Sequence, residues 1–276
     1  MQYFELDLKI EPEYSEILVA ELAEIGFDSF LDSPDGIVAY VTEDLFDDRA
    51  IKNLLENYAS RTPLSYSIKA IEKQNWNKEW ESAFSPIEVS DKIYVRATFH
   101  EPAPATFPYE IIITPKMSFG TGHHETTSQV LELQMDIDHK GKSVLDVGTG
   151  TGILAIFASK LGAEKIHAFD IDEWSVENTI ENISLNNTPE ITVNQGTIAD
   201  QKIEQYDIVI ANINRNILLD EIPQYVKFMK KGAYLLLSGF YEHDVPEIES
   251  KCNEQGLKKL KQISKNNWAA VVFIRE

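Results

Sequence analysis

Hydrophobic and polar positions alternate strictly at the front of the chain. Phe4, Leu6, Leu8 and Ile10 are separated by Glu5, Asp7 and Lys9, the period of two expected of a half-buried β-strand. Leu18, Leu22 and Ile25 then recur at helical spacing, and Gly26 stands where such a helix would stop. Two strand-like runs, Phe27–Leu31 and Ile37–Val41, flank the turn cluster Ser33-Pro34-Asp35-Gly36. Ile51, Leu54, Leu55 and Tyr58 mark a second amphipathic helix, after which Tyr66, Ile68 and Ala70 alternate with Ser65, Ser67 and Lys69 as a closing strand. The order βαββαβ over residues 1–71 predicts a small α+β domain of ferredoxin-like type.

A linker is expected over 72–85, where Asn75–Phe84 reads as a short helix before Pro86. Beyond it the pattern changes. Short strands lead from Val89 to Ile113, and apolar runs then alternate with helical stretches at Ser143–Val147, Lys165–Ile171, Ile191–Asn194, Asp207–Ile213 and Ala233–Ser238. Leu257–Ser264 and Trp268–Ile274 follow with only Lys265-Asn266-Asn267 between them, as in an antiparallel hairpin. Strands that alternate with helices are covered on both faces, so residues 86–276 predict a doubly wound, mainly parallel seven-stranded α/β sheet.

Composition narrows the setting. No apolar run approaches the roughly 18 residues that a membrane span needs, and the first residues lack the basic and apolar segments of a secretory signal. The single cysteine, Cys252, has no intrachain partner, which fits a reducing cytoplasm. A net charge of −20 argues against nucleic acid as a direct partner, because phosphate binding needs a positive surface. The charge is unevenly spread: residues 1–71 carry 15 acidic and 5 basic residues, a net −10 in about a quarter of the chain. A cationic partner suits that segment.

The strongest chemical signal is Val144-Leu145-Asp146-Val147-Gly148-Thr149-Gly150-Thr151-Gly152-Ile153. A buried strand runs into a glycine loop and then into a helix, an arrangement in which backbone N–H groups approach a nucleotide-type cofactor closely. The dinucleotide fingerprint G-x-G-x-x-G would need glycine at Ile153, so the spacing disfavours NAD. The next apolar run ends in Asp170, 22 residues after Gly148, where an acid accepts hydrogen bonds from ribose hydroxyls. Asp172, just before Glu173-Trp174, fits the N-cap of the following helix. Asn212 ends another buried run, where its amide is placed to orient an incoming amine. Phe119, Tyr206, Tyr241 and Trp268 are aromatic candidates for lining a pocket for a cation. His123-His124-Glu125 has no companion His or Cys set to complete a zinc site, and no metal is expected.

With these residues in view, the chain resembles the class I S-adenosylmethionine-dependent methyltransferases, and more narrowly the PrmA family, which methylates large-subunit ribosomal protein L11. The resemblance runs over about residues 74–276 and is carried by Asn75-Trp76-Asn77-Lys78-Glu79-Trp80, by Pro115-Lys116-Met117-Ser118-Phe119-Gly120-Thr121-Gly122-His123-His124-Glu125-Thr126-Thr127, by the glycine loop with Gly148 and Gly150, and by Ala211-Asn212-Ile213. It implies that Thr127, Gly148, Asp170 and Asn212 contact S-adenosylmethionine and that the loop Phe119–His123, with Thr121, folds over it. Thr127 fits equally the N-cap of the helix carrying Val130, Leu131 and Leu133. The resemblance further implies that the front domain recognises ribosomal protein L11 and that lysine, and in addition N-terminal α-amino, groups receive the methyl, leaving S-adenosylhomocysteine. A methyltransferase for RNA or a small cation and a nicotinamide-dependent oxidoreductase are the competing readings.

Overall fold

The structure is a computed structural model that describes residues 3–71, 85–114, 116 and 118–276. The chain forms two units, Met1–Ala83 and Phe84–Glu276. The helix expected over Asn75–Phe84 lies outside the described residues.

In the first unit, β1 (Tyr3–Lys9), α1 (Pro12–Glu24), β2 (Ser29–Ser33), β3 (Gly36–Thr42), α2 (Asp48–Ala59) and β4 (Ser65–Ile71) follow the expected βαββαβ order. The strands form one antiparallel sheet in the order β2-β3-β1-β4. Leu6 and Leu8 of β1 meet Leu18 and Leu22 of α1 and Ile51 and Leu55 of α2 in one core, as the two periodicities require. Asp47 starts α2 by accepting the N–H groups of Arg49 and Ala50 on Oδ1 at 2.9 and 3.1 Å. β2 begins two residues later than the apolar run suggests, because Phe27 is a buried core residue ahead of the strand.

The second unit is built on a seven-stranded sheet. Its strands are β8 (Ser143–Val147), β9 (Lys165–Asp170), β10 (Ile191–Gln195), β11 (Tyr206–Asn212), β12 (Met229–Tyr241), β13 (Leu257–Lys265) and β14 (Trp268–Arg275), in the order β10-β9-β8-β11-β12-β14-β13. All pairings are parallel except those of β14, which runs antiparallel to both neighbours. Five helices accompany the sheet: α3 (Glu125–Gln134), α4 (Ile153–Lys160), α5 (Glu173–Asn186), α6 (Arg215–Tyr225) and α7 (Val245–Glu254). Successive strand residues point to opposite faces, so Val144 and Ile166 enter one core with α4, while Leu145 and Val147 enter a second core with α6 and α7. The expected hairpin turns through Asn266 and Asn267, both left-handed at φ 52° and 67°, a conformation asparagine tolerates well. Ahead of the sheet, β5 (Ile87–Val89), β6 (Ile93–Arg96) and β7 (Tyr109–Ile112) form a three-stranded sheet with β7 at its edge.

The strand order reverses between β8 and β11, so the carboxyl ends of these two strands open a crevice there. At their opposite ends Asp207 ties the two strands together: its Oδ2 accepts the Ser143 N–H at 2.9 Å, the Ser143 hydroxyl at 2.7 Å and the Lys230 ammonium at 2.7 Å. Burial works against the carboxylate, but the Lys230 charge and the Ser143 donors outweigh it and hold its pKa down at about 2. A depressed carboxylate pKa contributes stability that is present above the unfolded value of about 4 and is lost as pH falls through the folded one. Allowing for screening at this partly exposed pair, about 1–2 kcal/mol is expected to disappear between pH 4 and pH 2. Urea unfolding at pH 6 and pH 2.5 checks this: Asp207→Asn should be less stable than the parent at pH 6 and nearly equal to it at pH 2.5.

Candidate active site

The crevice holds a cavity of about 550 Å3, within the ~300–1,000 Å3 range of small-molecule sites. Val147 and Gly148 after β8, Phe169 and Asp170 of β9, Asn212 and Ile213 of β11 and Gly239 of β12 line it from the sheet. Ser118, Phe119 and His124 close it from the loop before α3, and Thr197 and Ile198 close it from the segment after β10.

The glycine loop is shaped by hydrogen bonds that leave little freedom. Gly148 N–H and Thr149 N–H both donate to the Phe169 carbonyl, at 3.0 and 3.1 Å. Gly150 has φ +58°, and a Cβ on it would stand 2.2 Å from the Phe119 carbonyl oxygen, so only glycine lets the two chains approach. The Thr151 N–H then donates to that same carbonyl at 2.9 Å, and the Thr151 hydroxyl donates to the Gly120 carbonyl. The loop before α3 is thereby bonded directly to the glycine loop.

Asp170 stands where the sequence puts it, at the end of β9. Its Oδ2 accepts the Gly150 N–H at 2.9 Å and its Oδ1 the Asp172 N–H at 3.1 Å. A carboxylate has about four acceptor positions, so one remains on each oxygen toward the cavity. Asp172 caps α5 as expected, accepting the Trp174 N–H at 3.0 Å. Asp170→Ala should weaken cofactor binding at least tenfold, since it deletes these acceptors and also releases Gly150. Calorimetry showing unchanged affinity in a folded variant would remove Asp170 from the site.

Asn212 is 9% exposed at the end of β11. Its Nδ2 donates to the Thr127 hydroxyl at 3.4 Å, and its Oδ1 has no hydrogen-bond partner among the described residues. Thr127 is fully buried and does not line the cavity; it holds Asn212 from behind. Nor does Thr127 cap a helix. α3 starts at Glu125 with His124 as N-cap, whose Nδ1 accepts the Thr126 N–H at 3.3 Å.

Of the loop residues, Phe119 lines the cavity and is 55% exposed, whereas Thr121 and His123 bond to each other at 3.2 Å outside the cavity wall. His124 takes the place expected of His123: its ring packs between Phe119 and Trp268, at 5.4 and 4.7 Å between centroids. Trp268 also lines the cavity and contacts Tyr241 at 4.1 Å. Tyr206 belongs instead to the core beneath the sheet, where burial pushes its phenol up to about 12. Asp146 was not singled out by the sequence. It is fully buried, accepts the Thr149 hydroxyl at 2.7 Å, and burial lifts its pKa to about 7. Ile198 and Glu221 complete the wall, and neither carries a motif.

The family model for ribosomal protein L11 methyltransferase (PrmA) matches residues 13–276. The chain belongs to the PrmA family. It is 45% identical to the ribosomal protein L11 methyltransferase of Phocaeicola vulgatus over 99% of both chains, and 46% identical to that of Porphyromonas gingivalis over 97% of this chain and 92% of that one. A crystal structure of ribosomal protein L11 methylase from Lactobacillus delbrueckii subsp. bulgaricus is 28% identical, with a TM-score of 0.66, over 70% of this chain and 100% of that one. As a PrmA-family member the chain is a methyltransferase, and its seven-stranded sheet is that of the class I methyltransferases. No helix among the described residues is long and apolar enough to cross a membrane.

Proposed function

We propose that this PrmA-family chain transfers methyl groups from S-adenosylmethionine to lysine side-chain amines, and to an N-terminal α-amine, of ribosomal protein L11 in the cytoplasm. The observation that carries the reading is the Asn212 carbonyl oxygen, left without a partner at the cavity wall opposite the glycine loop. The names of the relatives at 45% and 46% identity support the choice of protein substrate.

The residues present fit the cofactor. Asp170 keeps two acceptor positions for ribose hydroxyls, the apolar side chains of Phe169, Ile171 and Ile198 offer a flat surface to a purine, and Phe119 and His124 cover the opening. S-adenosylmethionine, when bound, supplies an electrophilic methyl group on a sulfonium.

The chain's own task is to present a neutral amine. A lysine ammonium has a pKa of about 10.4, so losing its proton at pH 7 costs roughly 4–5 kcal/mol. No cavity carboxylate is free to serve as base: Asp170 is bonded to Gly150 and Asp172, and Glu221 accepts the Tyr225 hydroxyl at 2.7 Å. The aromatic and aliphatic walls of Phe119, Trp268 and Ile213 instead desolvate the ammonium and lower its pKa, and the proton leaves to water. Asn212 Oδ1 then accepts an N–H of the amine, and Thr127, by holding the Asn212 amide, turns the nitrogen lone pair toward the methyl.

Mass spectrometry of purified ribosomal protein L11 after incubation with the enzyme and S-adenosylmethionine tests this. Mass gains of 14 Da per methyl group on lysine and on the N-terminal residue are expected. An unmodified protein under conditions where S-adenosylmethionine binds would point to another substrate.

A further inference from the structure

Helix α5 carries asparagine at every fourth position, and Asn178, Asn182 and Asn186 are all buried. A buried amide needs partners, and these find theirs on a strand edge. Asn186 accepts the Ile112 N–H at 2.9 Å and donates to the Ile112 carbonyl at 2.6 Å. Asn182 accepts the Thr114 N–H at 2.9 Å, and Asn178 donates to the Thr114 carbonyl at 3.3 Å. Because β7 is the edge of its sheet, Ile112 and Thr114 turn their backbone groups away from β6, two residues apart. Four helical residues rise about 6 Å and two strand residues about 6.6 Å. The asparagines therefore keep step with the strand and complete its edge as another strand would.

The chain continues along the same helix toward the cavity. Lys116 pairs with Glu181, and the Ser118 hydroxyl donates to the Trp174 carbonyl at 3.5 Å. α5 also holds the glycine loop: the Thr179 hydroxyl donates to the Gly150 carbonyl and Asn182 Nδ2 to the Thr151 carbonyl, each at 2.8 Å. Of the three asparagines, Asn182 is the one bonded to both the segment leading into the cavity-closing loop and the glycine loop.

We propose that Asn182 is a positioning residue that sets the Ser118–His124 wall of the cavity against the glycine loop, so that the two walls hold or loosen together through α5. It does not line the cavity and acts through the Thr114 and Thr151 backbone. The binding arm of the test below rests on S-adenosylmethionine as the cofactor; the exchange arm does not.

Asn186 provides the comparison. Its bonds reach Ile112 and its own helix, at the Asn182 carbonyl, and never the glycine loop. In the full-length enzyme without cofactor, amide hydrogen exchange over residues 111–122 should quicken in both Asn182→Ala and Asn186→Ala. Exchange over 148–156 should quicken at least tenfold in Asn182→Ala and stay at the parental rate in Asn186→Ala. Calorimetry should give a dissociation constant for S-adenosylmethionine at least tenfold higher in Asn182→Ala and within threefold of the parent in Asn186→Ala. Equal glycine-loop exchange in the two variants would reduce Asn182 to an ordinary buried amide and overturn the proposal. Should Asn182→Ala not fold, Asn182→Asp keeps the acceptor for Thr114 and loses the donor for Thr151; exchange quickened over 148–156 alone supports the bridge, and exchange unchanged there overturns it. A parent enzyme that binds no S-adenosylmethionine would overturn the cofactor reading, while the exchange rates still decide the role of Asn182.

Discussion

Asn212→Ala is expected to lower kcat for methyl transfer about 100-fold while raising the cofactor dissociation constant less than tenfold. The asymmetry follows from where its bonds go. Nδ2 is spent on Thr127, inside the protein, and Oδ1 has nothing to accept from until an amine arrives. The lost interaction is therefore made with the acceptor at the reacting geometry, where orientation of nucleophile and methyl contributes most. Thr127→Val should show a smaller fall of about tenfold, because the Asn212 amide stays in place and loses only what fixes its rotation. Single-turnover kinetics at saturating cofactor, with calorimetry on the same variants, separate the two quantities. A kcat within threefold of the parent in Asn212→Ala would mean that the amine is oriented by something else.

A chain beginning at Gln74 is expected to bind S-adenosylmethionine with near-native affinity and to lose at least 100-fold in kcat/KM toward ribosomal protein L11. Every residue lining the cavity lies in Phe84–Glu276, so cofactor binding has no need of the first unit. The first unit has its own core and no cofactor motif, but it carries half of the chain's net charge of −20. An acidic surface of this kind steers a basic ribosomal protein and raises the encounter rate. Activity of the full-length enzyme should accordingly fall as salt rises, since exposed charges are screened beyond about 10 Å at 0.1 M. The comparison is made by methylation assays on both chains at 0.05 and 0.3 M salt. Equal activity of the short and full-length chains would make the acidity of the first unit a matter of solvation.

The elements themselves were legible because each reports its own burial. Leu6 and Leu8 alternate since one face of β1 is covered, and the glycine loop is recognisable since Gly148 and Gly150 stand in line between a strand and a helix. Asp170 was legible for the same reason: strand and loop lengths bring the end of β9 to the loop after β8. The choice between His123 and His124 was not legible. Neighbours in the sequence differ in which way the ring turns, and that is decided by Trp268 from a strand far along the chain. Tyr206 sits one strand length before Asn212, at the other end of β11, and pairing with β12 buries it in the core.

The sequence by itself determined the two units, the order of their strands and helices, the glycine loop and the acid that faces it, because periodicity, turn residues and loop spacing are properties of short stretches of chain. The tertiary structure alone decided which residues meet across the sheet. Thr127 reaches Asn212 over 85 positions, and Asn186 reaches Ile112 over 74. Buried asparagines at helical spacing read in a sequence as a solvated face; only the edge of β7 lying alongside α5 gives their amides partners and turns a polar stripe into the frame of the cavity.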